Sequence, residues 1–191
     1  TISLIDPIDM TDIDEAKLIR RAKEGDPEAF ARLYDEHQPA IYRYIFYRVG
    51  SDAAAEDLTS EVFVRLVDSI DDWTYQWRPL LAWLYTIARN LVNDFHRSKG
   101  RAEMVPLDDS LQASSCDPEA AAGLALSQER LACALEELTE DQRQVILLKF
   151  MEGLDNRTVA QVLDKSYGAV KALQHRGLAS LRRVLESGEI H

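Results

Sequence analysis

The sequence predicts an all-α protein, and three observations support that prediction. Apolar residues recur at spacings of three and four along most of the 191 residues, which is the period of an amphipathic helix. The alternation of apolar and polar residues that marks a half-buried strand is scarce. Pro106, Pro118 and several acidic residues interrupt the helical pattern between residues 102 and 125. We therefore expect two small helical domains joined by a flexible acidic linker, with a helix-turn-helix in the C-terminal domain.

The composition is that of a soluble, acidic protein. Hydrophobic residues make up 46% of the chain, charged residues make up 29%, and the formal net charge is −11. Such acidity argues against a protein that coats DNA on its own, and it fits one whose DNA contact is local and assisted by a larger partner. Because the sequence has neither a run of about 18 apolar residues nor a basic-then-apolar leader, we expect a cytoplasmic protein without membrane insertion.

Residues suited to catalysis or metal binding are scattered along the sequence. Cys116 and Cys133 lack the spacing of metal ligands, and we expect both to be reduced thiols. The histidines have no partners at a useful spacing, and the sequence contains neither a phosphate-binding loop nor a nucleophile–base pair. We expect no enzymatic activity, no metal site and no cofactor.

The first domain follows a short acidic lead. Gly25 should end its first helix, and Asp26 followed by Pro27 should begin the second. Pro39 should kink or divide that second helix, and His37 should face solvent. The predicted divisions of the chain are the acidic lead (1–13), a first helical domain (14–101), the linker (102–125), a second helical domain (126–186) and a tail (187–191).

The segment 52–70 predicts one helix with two different sides. One side is apolar, and the other carries Asp57, Glu61, Val64 and Asp68 at helical spacing. This acidic strip fits a plain solvated surface. It fits equally well a surface that docks against a basic partner, with Val64 as a small apolar contact.

The chain's three tryptophans lie close together in the sequence. Trp73, Tyr75 and Trp77 fall in a predicted loop, and a helix follows at 79–98 whose later part is rich in basic and amide side chains. Rings can stack on bases extruded from a duplex, and cations can follow phosphates. The same residues also fit a tryptophan core with Arg and Lys side chains that reach solvent at a helix end. Trp83 fits the core.

The linker at 102–125 has two interpretations. It fits a solvated tether, and it also fits a segment that lies in a positively charged channel built for nucleic acid. Composition does not separate the two.

The segment 138–185 has the pattern of a helix-turn-helix. An amphipathic helix is predicted over 141–151, and Gly153 should end it. Asp155 or Asn156 can cap the short helix that follows.

A tight turn at 164–166 separates that short helix from a last helix predicted over 167–185. Val170, Leu173 and Gly177 share the inward side of the last helix. The outward side is small, basic and polar, and the helix contains no Asp or Glu. This pattern favours a recognition helix that contacts phosphates and base edges. A helical hairpin with a solvated basic face is the simpler alternative.

Four stretches, taken in order, resemble a bacterial RNA polymerase sigma factor. They read DPEAFARLYDEHQPAIYRYIFYRVG, AEDLTSEVFVRLVDSI, LLAWLYTIARNLVNDFHRSKGR and LTEDQRQVILLKFMEGLDNRTVAQVLDKSYGAVKALQHRGLASLR. More narrowly, the chain resembles the extracytoplasmic-function (ECF) group, which keeps only the second and fourth conserved regions of sigma factors and a linker. The resemblance extends from about Glu15 to Leu185.

The resemblance implies a factor that binds core RNA polymerase and promoter DNA, directs promoter-specific transcription initiation, and is held inactive by an anti-sigma factor. Region 2 would bind the core polymerase through Asp57, Leu58, Glu61, Val62, Val64, Arg65 and Asp68. It would recognise and melt the minus-ten element through Trp73, Tyr75, Trp77, Asn90, Asn93, His96, Arg97 and Arg101. Region 4 would read the minus-thirty-five duplex through Lys165, Ser166, Tyr167, Gly168, Lys171, Ala172, His175 and Arg176. The linker would run through the RNA exit path.

The sequence departs from the family pattern at two places. Asp164 stands where Gly is usual in the turn, and Asp tolerates a positive φ better than most residues. The recognition helix reads GAVKAL at 168–173, where the family often has Gly-Thr-Val-Lys-Ser-Arg. The lost hydroxyl and guanidinium groups leave the base preference open.

Two other classes of protein are alternatives to a sigma factor. A two-domain regulator would bind a duplex operator without polymerase, usually as a symmetric dimer. An enzyme would need a catalytic or metal-binding set that the sequence lacks.

Overall fold

The computed structural model of the chain describes residues 10–73, 79–102 and 124–187. Within these residues the secondary structure is helical throughout, with eight α-helices, one short π-helix and no strand. This confirms the predicted all-α fold. The helices are α1 (Met10–Lys23), α2 (Pro27–Val49), α3 (Asp52–Ser69), α4 (Leu80–Ala102), α5 (Leu124–Glu136), α6 (Glu140–Ile146), the π-helix (Leu147–Met151), α7 (Asn156–Leu163) and α8 (Tyr167–Ser187).

Helices α1 to α4 form the N-terminal domain, and local signals set their ends. The Asp26 side chain accepts a hydrogen bond from the Glu28 amide at 3.0 Å and caps α2. Gly50 ends α2 with a φ of 67°, a left-handed conformation that favours glycine. Pro39 lies inside α2, which continues through it. The core between the helices is fully apolar at its centre, with Leu33, Ile41, Ile45, Val62, Leu66 and Leu84 all at 1% exposure or less.

Helix α1 begins at Met10, within the last residues of the acidic lead. One expectation for this domain is wrong. His37 does not face solvent, since it is 6% exposed and its Nε2 lies 3.3 Å from Glu15 Oε1. The side of α2 that carries His37 packs against α1, and helical spacing alone did not reveal that the polar ring belongs to the buried side.

Helices α5 to α8 and the π-helix form the C-terminal domain. Thr139 and Gln142 form a capping box at the start of α6, with each side chain bonded to the other's backbone amide. The helix predicted over 141–151 is present, but its second half is a π-helix. Gly153, at a φ of 71°, ends it as expected.

The expectation of a reduced thiol is wrong at Cys133, which is disulfide-bonded. Cys116 lies outside the described residues. None of the described helices is long and apolar enough to cross a membrane.

The two domains pack against each other, and the sequence did not predict this. Helix α4 contacts α7 across the boundary between them. Arg43 of α2 donates two hydrogen bonds, of 2.8 and 2.7 Å, to the carboxylate of Glu152, which follows the π-helix. The face of the C-terminal domain that includes α7 is therefore turned toward the N-terminal domain.

The packing of α8 on α6 provides a test of the fold. A Cβ atom added at Gly177 would lie 3.0 Å from Ile146 Cγ1, whereas one at Gly168 would meet nothing within 4 Å. We expect Gly177→Val to lower the free energy of unfolding by about 1–3 kcal/mol through overpacking. Gly168→Ala should leave it unchanged or raise it by up to about 1 kcal/mol. Chemical denaturation of both variants checks this, and equal stabilities would contradict the packing.

Candidate nucleic-acid interface

The turn between α7 and α8 has the geometry of a helix-turn-helix. Asp155 caps α7 by accepting a hydrogen bond from the Thr158 amide at 2.7 Å. Asp164 ends α7 in the left-handed conformation, with φ 52° and ψ 49°, which is the conformation expected where the family has glycine. The Ser166 hydroxyl then accepts from the Ala169 amide at 3.2 Å and caps α8.

Helix α8 separates a buried side from a polar side. Val170 is fully buried and Leu173 is 8% exposed, while Gly177 lies against Ile146 of α6. This is the inward side that the sequence predicted. The residues of the predicted minus-thirty-five surface that are exposed on α8 are Tyr167, Gly168, Lys171, Ala172, His175 and Arg176.

Two cations near the start of α8, Lys165 and Lys171, contact neighbouring side chains. Lys165 Nζ lies 2.9 Å from Asp141 Oδ2. Lys171 Nζ lies 5.9 Å from the centre of the exposed Tyr167 ring, within cation–π range. Both contacts are at the surface, so a phosphate can replace or extend them.

An open hollow of about 550 Å³ adjoins the turn. Its lining includes Lys165 and Tyr167, which the sequence predicted, and Arg157, which it did not. Arg157 is exposed in the first turn of α7. The signal that could have found it is its position immediately after the capping pair Asp155-Asn156, where a helix starts beside α8.

Of the three rings predicted to stack on bases, the structure describes Trp73. Trp73 is 8% exposed and packs against Trp83, with ring centres 6.4 Å apart. Its buried ring offers no open face for a base. Tyr75 and Trp77 lie outside the described residues.

Helix α4 carries the polar residues predicted to read the minus-ten element. Asn90 and Arg97 are exposed, and Arg97 pairs with Asp94 at 2.9 Å. Arg101 lies in the last turn of α4. Asn93 is instead engaged inside the protein, since its Oδ1 accepts a 2.8 Å hydrogen bond from Arg48.

His96 lies one helical turn after Asn93 on α4 and, like Asn93, contacts Arg48. Its Nε2 is 3.1 Å from the Arg48 carbonyl oxygen. Partial burial of the ring lowers the pKa of His96 below its ordinary value of 6.5, which favours the neutral form. The neutral ring can contribute a hydrogen bond to a bound strand.

The acidic strip of α3 lies at the surface, with Asp57, Val64 and Asp68 exposed and Glu61 half-buried. Asp57 and Asp68 face solvent, and Glu61 pairs with Arg65 at 2.9 Å within the same helix. Val64 is 52% exposed on this surface.

The apolar members of the strip differ in exposure. Val67, which was not among the predicted contacts, is 54% exposed and lies one turn from Val64 on this surface. Leu58 is half-buried, and Val62 is fully buried and packs in the core. Val62 therefore supports the surface from beneath. In the described part of the chain, no group of three or more His, Cys, Asp or Glu is placed to hold a metal ion.

The fold and these surfaces define a class: a two-domain helical protein with a helix-turn-helix and, in the other domain, a helix that carries acidic residues at its surface. Two models of protein families match the chain and identify the class more narrowly. The model of Sigma-70 region 2 matches residues 33–102, and the model of Sigma-70 region 4 matches residues 128–181.

Curated relatives agree with these family models. The ECF RNA polymerase sigma factor BldN of Streptomyces coelicolor is 42% identical over 179 residues, which cover 91% of this chain and 68% of the relative. The ECF sigma factor SigD of Mycobacterium tuberculosis is 32% identical over 171 residues, covering 86% of this chain and 81% of the relative. The chain belongs to the ECF RNA polymerase sigma factors.

Solved structures share the fold. CnrH, in complex with the cytosolic domain of CnrY, superposes with a TM-score of 0.70 at 24% identity, covering 91% of this chain and 97% of that one. The sigma factor RpoE of Bartonella quintana, in complex with the anti-sigma factor NepR, gives a TM-score of 0.67 at 22% identity over 82% of this chain and 96% of that one.

The cap of α7 provides a test of the helix-turn-helix. The hydrogen bond from the Thr158 amide is the main cause that lowers the pKa of Asp155. Replacement of a capping Asp by Ala typically costs about 1 kcal/mol, whereas Asn caps about as well. We expect Asp155→Ala to lower the free energy of unfolding by about that amount at pH 7, and Asp155→Asn to lower it little.

The pH dependence of stability distinguishes loss of the Asp155 cap from a general disruption of the fold. Since the folded-state pKa of Asp155 is lowered, its charge stabilises the fold above its ordinary pKa of about 3.8, and this contribution is lost as the pH falls through the folded-state value. The difference between Asp155→Asn and wild type should therefore shrink toward low pH. A loss of equal size in the Asn and Ala variants at pH 7 would contradict the capping role.

Proposed function

We propose that this chain binds core RNA polymerase and directs promoter-specific transcription initiation as a non-enzymatic factor in the cytoplasm. The observation that carries the proposal is the exposed basic side of α8, in a helix-turn-helix on a chain with a formal net charge of −11. Because the chain is acidic overall, it is repelled by DNA. Its small cationic surface therefore needs another molecule to bring it to the duplex. Membership of the ECF sigma factors names that molecule as the polymerase.

The C-terminal domain would grip the minus-thirty-five duplex with α8 in the major groove. Lys171 projects away from the buried side of α8, and Arg176 lies exposed at the edge of that outward side. Gly168 and Ala172 have no bulk that would hold the backbone away from the groove. Lys165, Ser166, Tyr167 and the newly identified Arg157 would contact the flanking phosphates, and His175 would lie along the same face.

The N-terminal domain would capture bases of the melted minus-ten element. The exposed amide of Asn90 and the guanidinium of Arg97 lie on α4, and Asn93, His96 and Arg101 complete the polar row of that helix. Tyr75 and Trp77 would supply the stacking rings. Stacking contributes on the order of 1–3 kcal/mol per base, which helps to offset strand separation.

The acidic strip of α3 would dock on a basic surface of the polymerase. Val64 and Val67 form an exposed apolar pair beside Asp57 and Asp68. Small apolar contacts surrounded by charges are typical of specific, electrostatically guided interfaces.

We also propose an anti-sigma factor as a partner. A structural neighbour with the same fold, the RpoE sigma factor, is solved in complex with the anti-sigma factor NepR. The exposed surfaces of α3 and α8 are the sites at which such a partner would prevent binding to polymerase or DNA.

A gel shift of promoter-containing DNA tests the proposal against a regulator that acts alone. The purified chain should shift such fragments only when core polymerase is present. A specific shift by the chain alone, with no gain from polymerase, would favour the independent regulator.

The basic side of α8 predicts a change in salt dependence. Lys171→Ala combined with Arg176→Ala removes up to two phosphate contacts, and each contact adds about 0.9 to the slope of log K against log salt. We expect weaker promoter binding by the holoenzyme and a slope reduced by roughly 2. Arg20→Ala with Arg32→Ala removes the same charge from exposed positions of the N-terminal domain and should leave the slope unchanged. An unaltered slope in the α8 variant would show that these residues do not touch DNA.

The acidic strip predicts loss of polymerase binding on charge reversal. Asp57→Arg with Asp68→Arg places like charges against a basic partner, and we expect recovery of the complex with core polymerase to fall about tenfold or more. Glu136→Arg with Glu137→Arg makes the same charge change at exposed positions of the C-terminal domain. Normal co-purification of the α3 variant, measured beside this control, would rule out docking through the strip.

A further inference from the structure

Lys23, the last residue of α1, links that helix to the segment that follows α3. Its Nζ donates a hydrogen bond of 3.2 Å to the carbonyl oxygen of Asp71 and one of 2.5 Å to the carbonyl oxygen of Trp73. Hydrogen bonds from an ionised donor are roughly twice as strong as those between neutral groups. One side chain thus joins parts of the N-terminal domain that lie 48 and 50 positions apart in the sequence.

The turn between α1 and α2 holds Lys23 in place. Gly25 has a φ of 80°, and its amide donates to the Ala22 carbonyl at 2.9 Å, which closes the last turn of α1. Arg21 donates a 2.7 Å hydrogen bond to Asp26, whose side chain also caps α2. Because the last turn of α1 is tied to the first turn of α2, the stem of the Lys23 side chain starts from a fixed point.

The segment that accepts these bonds is ordered by bonds of its own. The Asp72 amide donates to the Ser69 carbonyl, and the Trp73 amide donates to the Ile70 carbonyl, each at 3.2 Å. The Trp73 ring is 8% exposed and packs on Trp83, with ring centres 6.4 Å apart. Trp73 is therefore held by its ring, by its amide and, through the lysine, by its carbonyl oxygen.

Trp73 immediately precedes the part of the chain that carries Tyr75 and Trp77, the two other rings predicted to stack on bases. Five residues separate it from Pro79, where the described chain resumes. The Pro79 carbonyl accepts a 3.1 Å hydrogen bond from the amide of the third residue of α4. The two rings are thus carried between two points that the N-terminal domain holds fixed.

The partners of the Lys23 ammonium indicate its role. A cation that binds DNA offers its hydrogen bonds to phosphate, whereas Lys23 gives two of its three N–H donors to backbone carbonyl oxygens. Lysine side chains near a helix end can satisfy the carbonyl groups that the helix leaves unpaired. Here the carbonyls belong to the turn after α3 and not to α1, so the contact fixes one element relative to another.

We propose that Lys23 is a positioning residue for minus-ten capture: its ammonium fixes the backbone at Asp71 and Trp73, and thereby the point from which Tyr75 and Trp77 reach the melted strand. The role of the two rings rests on the proposed function, whereas the anchoring of the backbone does not. Rings on an anchored backbone lose less conformational entropy when they capture a base than rings on a loose one. Lys23 itself touches no base.

Amide exchange in the free chain, followed by NMR, tests the anchor without polymerase or DNA. The amides of Asp72 and Trp73 report on the contacted turn, because the hydrogen bonds that protect them lie within it. Lys23→Met keeps the apolar stem and removes the ammonium, and we expect both amides to exchange about threefold faster or more. Lys23→Arg keeps a charged donor and should exchange close to wild type. Comparison with the Ile45 amide, in the core of α2, cancels a change in global stability.

Two control variants separate the anchor from a general loosening of α1. Arg20→Met removes the same charge from an exposed position of that helix, and Ile19→Val removes a buried methylene group from it. Both should leave the exchange of the two reporter amides as in wild type. Equal exchange in Lys23→Met and wild type would overturn the proposal, and so would an equal acceleration in Ile19→Val.

Open-complex formation by the holoenzyme tests what the anchor does. On a promoter that the wild-type chain opens, Lys23→Met should slow the step from closed to open complex by about three- to tenfold. Initial duplex binding and its salt dependence should stay as in wild type, because the ammonium gives its bonds to carbonyl oxygens. Lys23→Arg should restore the rate of opening, and Arg20→Met should match wild type.

The opposite pattern would identify Lys23 as a phosphate contact. It consists of weaker initial binding, a salt slope reduced by about one, and an unchanged opening step. That pattern, or an opening rate in Lys23→Met equal to wild type, would overturn the positioning role. If the wild-type chain opens no promoter while the exchange results hold, the proposed function fails and the anchor stands.

Discussion

The packing of α8 on α6 decides what the C-terminal domain can offer to DNA. Val170, Leu173 and Gly177 form the buried side, and Gly177 lets Ile146 approach closely. Because a helix has one angular setting that buries those three residues, Lys171 and Arg176 are turned outward. The left-handed turn at Asp164 then fixes how α7 leads into α8. Without this packing the basic side chains would belong to no defined surface.

The distribution of charge complements that geometry. The chain is acidic overall, and its exposed carboxylates on α3 lie in a different domain from the cations on α8. Attraction to a basic polymerase surface and attraction to DNA can therefore act at separate places on one molecule. The contact between the domains uses charges of both signs in its own ion pairs, Arg43 with Glu152 and Arg48 with Glu140.

Features with a local cause could be predicted from the sequence. The caps at Asp26 and Asp155, the left-handed Asp164 and the buried side of α8 each follow from a few neighbouring residues. Features that depend on distant partners could not be predicted. His37 and Trp73 are buried because other helices cover them, and Arg48 and Glu140, 92 positions apart in the sequence, meet only after both domains have folded. The π-helix and the disulfide at Cys133 likewise left no clear local signal.

On the proposed function, this chain gives a polymerase its choice of start site. Run-off transcription with sigma-free core polymerase and a library of promoter fragments is the decisive measurement. We expect transcripts that begin at a defined subset of sites and that depend on the added chain. Transcripts from no site, with a polymerase preparation that responds to another sigma factor, would contradict it.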